Sequence, residues 1–151
     1  MPQTFESPTA LLAAAGTDLG ATDWIEISQD QIDQFAAATL DDQWIHCDVE
    51  RAAAGPFGTT IAHGYLTMSL ASYFLARLCR VEGISMGINY GANRVRFPAP
   101  VPVGSRLRAR GEIVEVTEVP GGAQAVIRVT IERDGSEKPA AIVDTVSRYL
   151  T

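Results

Sequence analysis

Residues 62–80 read AHGYLTMSLASYFLARLCR, and this stretch decides the fold. Its apolar side chains recur at spacings that place them on every side of one helix. A helix that is apolar on all sides is expected to be buried on all sides. At 1.5 Å per residue it would be about 28 Å long, which is enough to form the centre of a domain. The apolar residues are Leu66, Met68, Leu70, Ala71, Phe74, Leu75 and Leu78.

The half of the chain after this helix alternates apolar and polar residues, as strands with one buried face do. The phase of the alternation changes between Gly111 and Val114, which predicts a β-bulge there. One buried helix followed by long antiparallel strands is typical of an α+β fold whose sheet wraps around the helix. The predicted strands are residues 84–97, 105–119, 123–131 and 138–150, with turns at residues 120–122 and 134–135.

The residues before the helix predict shorter elements. We expect a short helix in residues 8–15 and a strand in residues 23–27. Ser28 suits the N-cap of a helix that ends near Thr39. The polar run in residues 40–46, LDDQWIH, predicts irregular structure.

Length and composition narrow the class of protein. A chain of 151 residues with 46% hydrophobic residues predicts a single globular domain, residues 1–151. A net charge of −6 argues against a nucleic-acid partner, and no apolar run is long enough to span a membrane. Cys47 and Cys79 are expected to be free thiols, and the start of the chain lacks a basic leader, so we expect a cytoplasmic protein.

The charges are unevenly distributed. Residues 1–50 carry ten acidic side chains and no Lys or Arg. Five arginines lie between Arg94 and Arg110, at residues 94, 96, 106, 108 and 110. Such a cluster in an acidic protein fits binding of a small phosphorylated ligand. Solvated decoration of a sheet edge explains the same pattern equally well.

Asp41 and His46 are candidates for acid–base chemistry. On a regular helix two residues five apart would point about 140° away from each other, so they converge only in irregular backbone. A carboxylate and an imidazole that share one water are suited to moving its protons. The alternative is that Asp41 caps a turn and His46 packs at the start of a helix.

The start of the long helix is a second candidate. The first N–H groups of a helix have no internal partner, and at Gly64 a ligand oxygen could approach the backbone closely. The alternative is that Gly64 only allows the helix to pack tightly. We expect His63 to be structural rather than catalytic. Ser72, about two turns later, either faces a polar site or bonds a carbonyl one turn back.

Two further motifs carry less weight. Residues 83–87, GISMG, match G-x-S-x-G, but a helix precedes and a strand follows, which reverses the order that a nucleophilic serine needs. His46, Cys47 and Asp48 are consecutive and His63 is the only other histidine, so we predict no metal site.

Taken together, these residues resemble the MaoC-like dehydratases, which include the R-specific enoyl-CoA hydratases and the nodulation protein N-like proteins. The resemblance covers nearly the whole chain. It implies a hot-dog fold, in which an antiparallel sheet wraps a long central helix, and a homodimer, since a single unit would leave sheet edges exposed. The motifs are D-x-Q-W-I-H at residues 41–46, D-x-E-R-A at 48–52, GPFGTTIAHG at 55–64 and NYGANRVRFPAPVPVGSR at 89–106.

The resemblance also implies a reaction, the R-specific hydration of a trans-2-enoyl-CoA to a (3R)-3-hydroxyacyl-CoA, or its reverse. Asp41 and His46 would activate the water, the Gly64 N–H would polarise the thioester carbonyl, and Ser72 would lie near the catalytic pair. No cofactor is implied, because the CoA thioester is the substrate.

The resemblance implies that the CoA crosses a dimer interface, with its phosphates near basic residues. The residues that we assign to substrate binding are Gln43, His63, Asn93, Arg94 and Arg96.

The sequence departs from the hydratase signature G-D-x-N-P-x-H at three positions, Leu40, Gln43 and Trp44. A glycine at position 40 would supply a special backbone angle, and the leucine could shift Asp41 or narrow the site. Two alternatives stay open. A hot-dog acyl-CoA thioesterase would use the same fold and ligand, and the leucine at position 40 is the feature that favours a non-catalytic acyl-CoA-binding protein.

Overall fold

The computed structural model describes all 151 residues, and it contains five helices and eight strands. The helices are α1 (Pro8–Leu11), α2 (Gln29–Thr39), α3 (Trp44–Cys47), α4 (Val49–Ala53) and α5 (Gly64–Leu78). The strands are β1 (Gln3–Phe5), β2 (Asp18–Ala21), β3 (Ile25–Glu26), β4 (Cys79–Val81), β5 (Met86–Arg96), β6 (Arg106–Val119), β7 (Gly122–Arg133) and β8 (Ala141–Leu150).

The main sheet is antiparallel, with strand order β2-β6-β7-β8-β5, and the short β3 also pairs with β6. Helix α5 packs against β6, β7 and β8. The alternation predicted for residues 123–131 is confirmed, since the side chains that face the helix are fully buried. The predicted bulge is also confirmed, as a register shift between Ile113 and Glu115. These buried side chains are Ala125, Ile127, Val129 and Ile131.

Helix α5 is shorter than predicted at both ends. It has 15 residues and is about 22 Å long. It ends at Leu78 because Cys79 turns to an extended backbone, with φ −138°, and β4 pairs in parallel with β1. The partner strand β1 lies at the start of the chain, far from β4 in sequence, so local periodicity gave no sign of this ending.

Burial of α5 is one-sided, which corrects the expectation of burial on all sides. Leu66, Ala71 and Phe74 are buried against the sheet, whereas Tyr65 on the opposite side is 72% exposed. The reason is geometric, because the sheet of one chain covers only one side of the helix. The uncovered side is available to a ligand or to a second chain.

Gly111 allows the end of α5 to approach β6 closely. A Cβ atom at Gly111 would lie 3.0 Å from Leu78 Cδ1 and 3.2 Å from Leu19 Cβ, which is closer than ordinary packing allows. A glycine at this point of the strand therefore sets the distance between the helix and the sheet.

The shorter predicted elements are partly corrected. The helix of residues 8–15 contracts to Pro8–Leu11, and the strand of residues 23–27 to Ile25–Glu26. Ser28 caps α2 as predicted, by accepting a hydrogen bond from the Gln31 N–H at 3.2 Å. None of the helices is both long and apolar enough to cross a membrane.

Candidate active site

A strained backbone position directs the chain from α2 into the site. Leu40 follows the last residue of α2 with φ 65° and ψ 18°, and it is the only non-glycine residue with positive φ. This left-handed conformation costs a residue with a Cβ about 1 kcal/mol or more. The special backbone angle expected at this position is therefore present, although leucine rather than glycine adopts it.

We predict that Leu40→Gly raises the free energy of unfolding by about 1 kcal/mol, which is about 2–4 °C in Tm. The substitution relieves backbone strain and loses little packing, because the Leu40 side chain is 87% exposed. Thermal unfolding measures the effect. Leu40→Ala is the matched control, since it removes the same side chain and keeps the Cβ. An equal gain in both variants would contradict the role of strain.

Asp41 and His46 converge, as the sequence allowed. The irregular backbone is limited to residues 40–43, because residues 44–47 form the helical turn α3, and this corrects the expectation for residues 40–46. The Asp41 carboxylate is exposed and accepts a hydrogen bond from the Gln43 N–H at 3.5 Å. Ligand atoms of Asp41, His46 and His63 all lie within 4.8 Å of one another.

His46 is held in one tautomer. Its side chain is 7% exposed, and its Nδ1 lies 2.7 Å from the backbone carbonyl oxygen of Ile61. A carbonyl oxygen only accepts hydrogen bonds, so Nδ1 carries the proton and Nε2 of the neutral ring keeps its lone pair. The ring is thereby prepared to accept a proton at Nε2.

Gln29 and Thr60 hold the turn that carries His46, and sequence reasoning missed both. Gln29 Nε2 donates to the His46 carbonyl oxygen at 2.8 Å, and the hydroxyl of the buried Thr60 donates to Gln29 Oε1. These bonds connect α2, α3 and the segment before α5. No local pattern links residues 29, 46 and 60, because they meet only through the tertiary fold.

His63 lies beneath this pair. Its side chain is 2% exposed, its Nε2 lies 2.9 Å from the Asp41 carbonyl oxygen, and its ring stacks on His46 at 3.9 Å and 24°. Such burial leaves little surface for the substrate contact that we expected of this residue.

The cluster of Asp41, His46 and His63 has the composition of a metal site but an unsuitable geometry. Nitrogen lone pairs lie in the ring planes, and two nearly parallel rings 3.9 Å apart do not direct their lone pairs at a common ion. The arrangement favours proton transfer over ion binding.

Gly64 is the first residue of α5, and its N–H has no hydrogen-bond partner within the chain. A Cβ at Gly64 would lie 3.3 Å from the Phe97 ring, so this side chain covers the glycine. His63, which precedes Gly64, belongs to the Asp41 and His46 cluster. A free N–H at a helix start therefore lies next to the acid–base pair, where it can stabilise negative charge.

Ser72 lies on the uncovered side of α5. It lines a cavity of about 360 Å³ between α5, β5 and β8, together with Tyr65, Met68 and Thr145. Asp41, His46 and His63 are not among the lining residues. The Ser72 hydroxyl makes no hydrogen bond within the chain, unlike Ser69, which donates to the Tyr65 carbonyl oxygen at 2.6 Å. The alternative of a bond to a carbonyl one turn back is therefore wrong for Ser72.

The arginine cluster divides into two groups. Arg106 pairs with Asp134, and both Arg108 and Arg110 pair with Glu132, at 2.6 and 3.1 Å. These three guanidinium groups are therefore engaged with carboxylates, as the alternative of a charged, solvated sheet edge allows.

The other candidate binding residues are exposed. Arg94 and Arg96 lie on the edge strand β5 and form no ion pair. Asn93 occupies a bulge in the same strand, between Ala92 and Arg94. Gln43 precedes α3 as its N-cap, and its side chain forms no capping hydrogen bond.

Neither the free thiol of Cys47 nor the serine of the G-x-S-x-G match, Ser85, fits a nucleophilic role. Burial, and then the negative charges of Asp33, Asp42 and Asp41, raise the pKa of the Cys47 thiol, which disfavours the reactive thiolate. Ser85 lies between β4 and β5 and donates to the Leu150 carbonyl oxygen at 3.3 Å. Only residues 82–85 connect β4 to β5, so a strand rather than the expected helix directly precedes this serine, and no helix follows it.

The chain is similar in sequence to one protein family and to several known proteins. A family model described as "MaoC like domain" matches residues 11–134. The 3-hydroxyacyl-thioester dehydratase Z of Mycobacterium tuberculosis (strain ATCC 25618 / H37Rv) is 51% identical over 149 residues, which cover 98% of this chain and 99% of that protein. Nodulation protein N of Rhizobium leguminosarum bv. viciae is 42% identical over 136 residues, which cover 87% of this chain and 84% of that protein.

Solved structures agree with the architecture. The (R)-hydratase from A. caviae involved in PHA biosynthesis superposes with a TM-score of 0.73 and 26% identity. The match covers 88% of this chain and 94% of the hydratase. The predicted hot-dog fold of the α+β class is confirmed.

Proposed function

This chain belongs to the MaoC-like domain family, and on that basis we propose that it is a hydro-lyase that adds water to trans-2-enoyl thioesters. In the reverse direction it would dehydrate (3R)-3-hydroxyacyl thioesters. The observation that carries the proposal is the meeting of Asp41 and His46 within 4.8 Å, next to the unpartnered Gly64 N–H.

The proposed hydration requires a base on one side of the substrate and an anion-stabilising donor on the other. The water oxygen bonds to C3 of the enoyl group, and the C2=C3 electron pair moves toward the thioester oxygen as an enolate. The proton that the water loses passes to the Asp41–His46 pair, and the enolate then takes up a proton at C2. The net addition of H and OH is redox-neutral, so the proposed reaction needs no redox cofactor, and none of its proposed steps uses a metal.

The hydrogen bonds around the site support these roles. Because His46 Nδ1 donates to Ile61, its Nε2 is the nitrogen that can accept the proton of the water. The Asp41 carboxylate is exposed and reachable by a substrate. In the proposed step, the Gly64 N–H donates to the thioester oxygen as its negative charge grows.

The support for CoA as the carrier of the acyl group is less direct than the support for the reaction. The M. tuberculosis relative is named for a 3-hydroxyacyl thioester, which agrees with the proposed acyl group. Arg94 and Arg96 are exposed and free of ion pairs, so we propose that they contact CoA phosphates. Gln43, Asn93 and Ser72 complete the proposed substrate contacts.

We further propose a homodimer formed along β5. This strand pairs only with β8, so its other edge offers unpaired backbone groups, and Met86, Ile88 and Tyr90 on it are exposed apolar side chains. A second copy would cover them and the uncovered side of α5. Sedimentation of a stable monomer at micromolar concentration would contradict the dimer.

The reaction is tested with purified protein and trans-2-enoyl-CoAs from crotonyl-CoA to longer chains. We expect loss of the conjugated thioester absorbance together with formation of the (3R)-3-hydroxyacyl-CoA. A thiol reagent run in parallel detects free CoA, whose release without hydration would indicate a thioesterase. Binding with no turnover at any chain length, even at high protein concentration, would indicate a non-catalytic binding protein.

A further inference from the structure

We propose that His63 is a positioning residue that holds Asp41 and His46 in register with the Gly64 N–H. The inference rests on the proposed function, because it concerns the same site. It differs from the sequence-based expectation, in which His63 contacts the substrate.

The first contact holds the loop that carries Asp41. His63 Nε2 lies 2.9 Å from the Asp41 carbonyl oxygen, so Nε2 carries the proton and donates it. No other hydrogen bond within the chain reaches this carbonyl. The loop enters through the strained Leu40 and has few other restraints, so the His63 bond fixes where the Asp41 backbone, and with it the carboxylate, lies.

The second contact orients His46. The His63 ring packs between Phe35, at 4.9 Å and 55°, and His46, at 3.9 Å and 24°. The stacked face limits rotation of the His46 ring, while the Ile61 carbonyl holds its Nδ1 edge. Together these two contacts define the direction in which His46 Nε2 points.

His63 also joins the Asp41–His46 pair to α5, through its peptide bond to Gly64 and through hydrogen bonds to its carbonyl oxygen. The His63 carbonyl oxygen accepts the first hydrogen bond of α5, from the Thr67 N–H at 3.1 Å, and also the Thr67 hydroxyl at 3.4 Å. The next residue is Gly64. His63 therefore connects the Asp41 loop, the α3 turn and the start of α5, and a displacement of about 1 Å between such groups can reduce a rate about 10²-fold.

The remaining ring nitrogen supports a role beyond packing. His63 Nδ1 is the one buried side-chain nitrogen or oxygen atom that has no hydrogen-bond partner within the chain. An unsatisfied buried polar atom is unfavourable, so a residue kept only for packing would be better replaced by an apolar side chain. The Nε2 hydrogen bond and the flat stacking face are what histidine adds over leucine.

The test compares two substitutions at this position. His63→Leu keeps a side chain of similar bulk but removes the donor, and we expect kcat for enoyl-CoA hydration to fall about 10–100-fold with KM nearly unchanged. His63→Gln presents an amide N–H near the position of Nε2, and we expect it to recover most of kcat. Thr22→Val is the control, because it removes a partly buried hydroxyl that bonds the Asp23 carbonyl oxygen and the Ala109 N–H, at 3.0 Å each, and it takes part in none of the three contacts of His63. Its kcat should stay within about twofold of the wild type.

NMR spectra test the positioning role of His63 independently of the proposed reaction. In ¹H–¹⁵N spectra we expect His63→Leu to shift the signals of Asp41, the His46 ring and Gly64, and His63→Gln to shift them much less. If these signals move but the wild type hydrates no enoyl-CoA, the positioning role stands and the proposed function fails. Unmoved Asp41 and His46 signals, or a rise in KM with unchanged kcat, would overturn the positioning role.

Discussion

Asp41→Asn is expected to reduce kcat for enoyl-CoA hydration by about 10²–10⁴-fold, which is the usual contribution of a general acid–base group. The amide keeps the size of the carboxylate but cannot accept a proton, so the Asp41–His46 pair loses one of its two proton-accepting groups. The oxygen of the substituted amide can still accept the Gln43 N–H, so the turn keeps its one side-chain hydrogen bond. Steady-state kinetics measure the loss, and Tm should change little, because the side chain is exposed.

The neighbouring carboxylate provides the control. Asp42 is also exposed, and it is not part of the cluster with His46 and His63. Asp42→Asn removes the same charge one residue away and should keep kcat within about twofold. Equal losses in the two variants would assign the effect to local charge, and full activity in Asp41→Asn would remove Asp41 from the mechanism.

Gly64→Pro is expected to lower kcat about 10²–10³-fold relative to Gly64→Ala, which is the usual effect of deleting one donor to a developing oxyanion. Proline lacks the N–H, and it is well tolerated as the first residue of a helix. The preceding residue, His63, already has ψ 139°, which a following proline requires. The substitution therefore deletes the donor while the backbone keeps its path.

Gly64→Ala is the control for the steric effect of adding a Cβ at this position. A Cβ at this position lies 3.3 Å from the Phe97 ring in either variant, and Phe97 is itself partly exposed and able to shift. Activity is compared between the two variants rather than with the wild type, with circular dichroism to verify that both are folded. Equal kcat values in the proline and alanine variants would show that the N–H takes no part.

Local patterns predicted the elements whose structure depends on near neighbours. Ser28 caps α2 through a residue three positions away, and the burial of β7 follows its own alternation. The bulge near Ile113 was visible as a phase change within one strand. Each of these features is encoded within a few residues, so the sequence alone suffices to predict it.

The site was only partly predictable, because its residues come from separate elements. The spacing of Asp41 and His46 made their meeting conditional on irregular backbone, and Leu40 provides this irregularity through its positive φ. Gln29 and Thr60 were missed, since Gln29 reaches the His46 carbonyl from 17 residues before it, and Thr60 bonds Gln29 from the segment before α5.

The sequence by itself determined the α+β class, the long apolar helix, the alternating strands and the motifs that identify the family. Only the tertiary structure decided which polar groups meet. It ended α5 at Leu78 by pairing β4 with β1, engaged Arg106, Arg108 and Arg110 with carboxylates, and placed His63 under the Asp41–His46 pair. The physical reason is that periodicity records which face of an element is buried, whereas partners across elements depend on strand register and loop path.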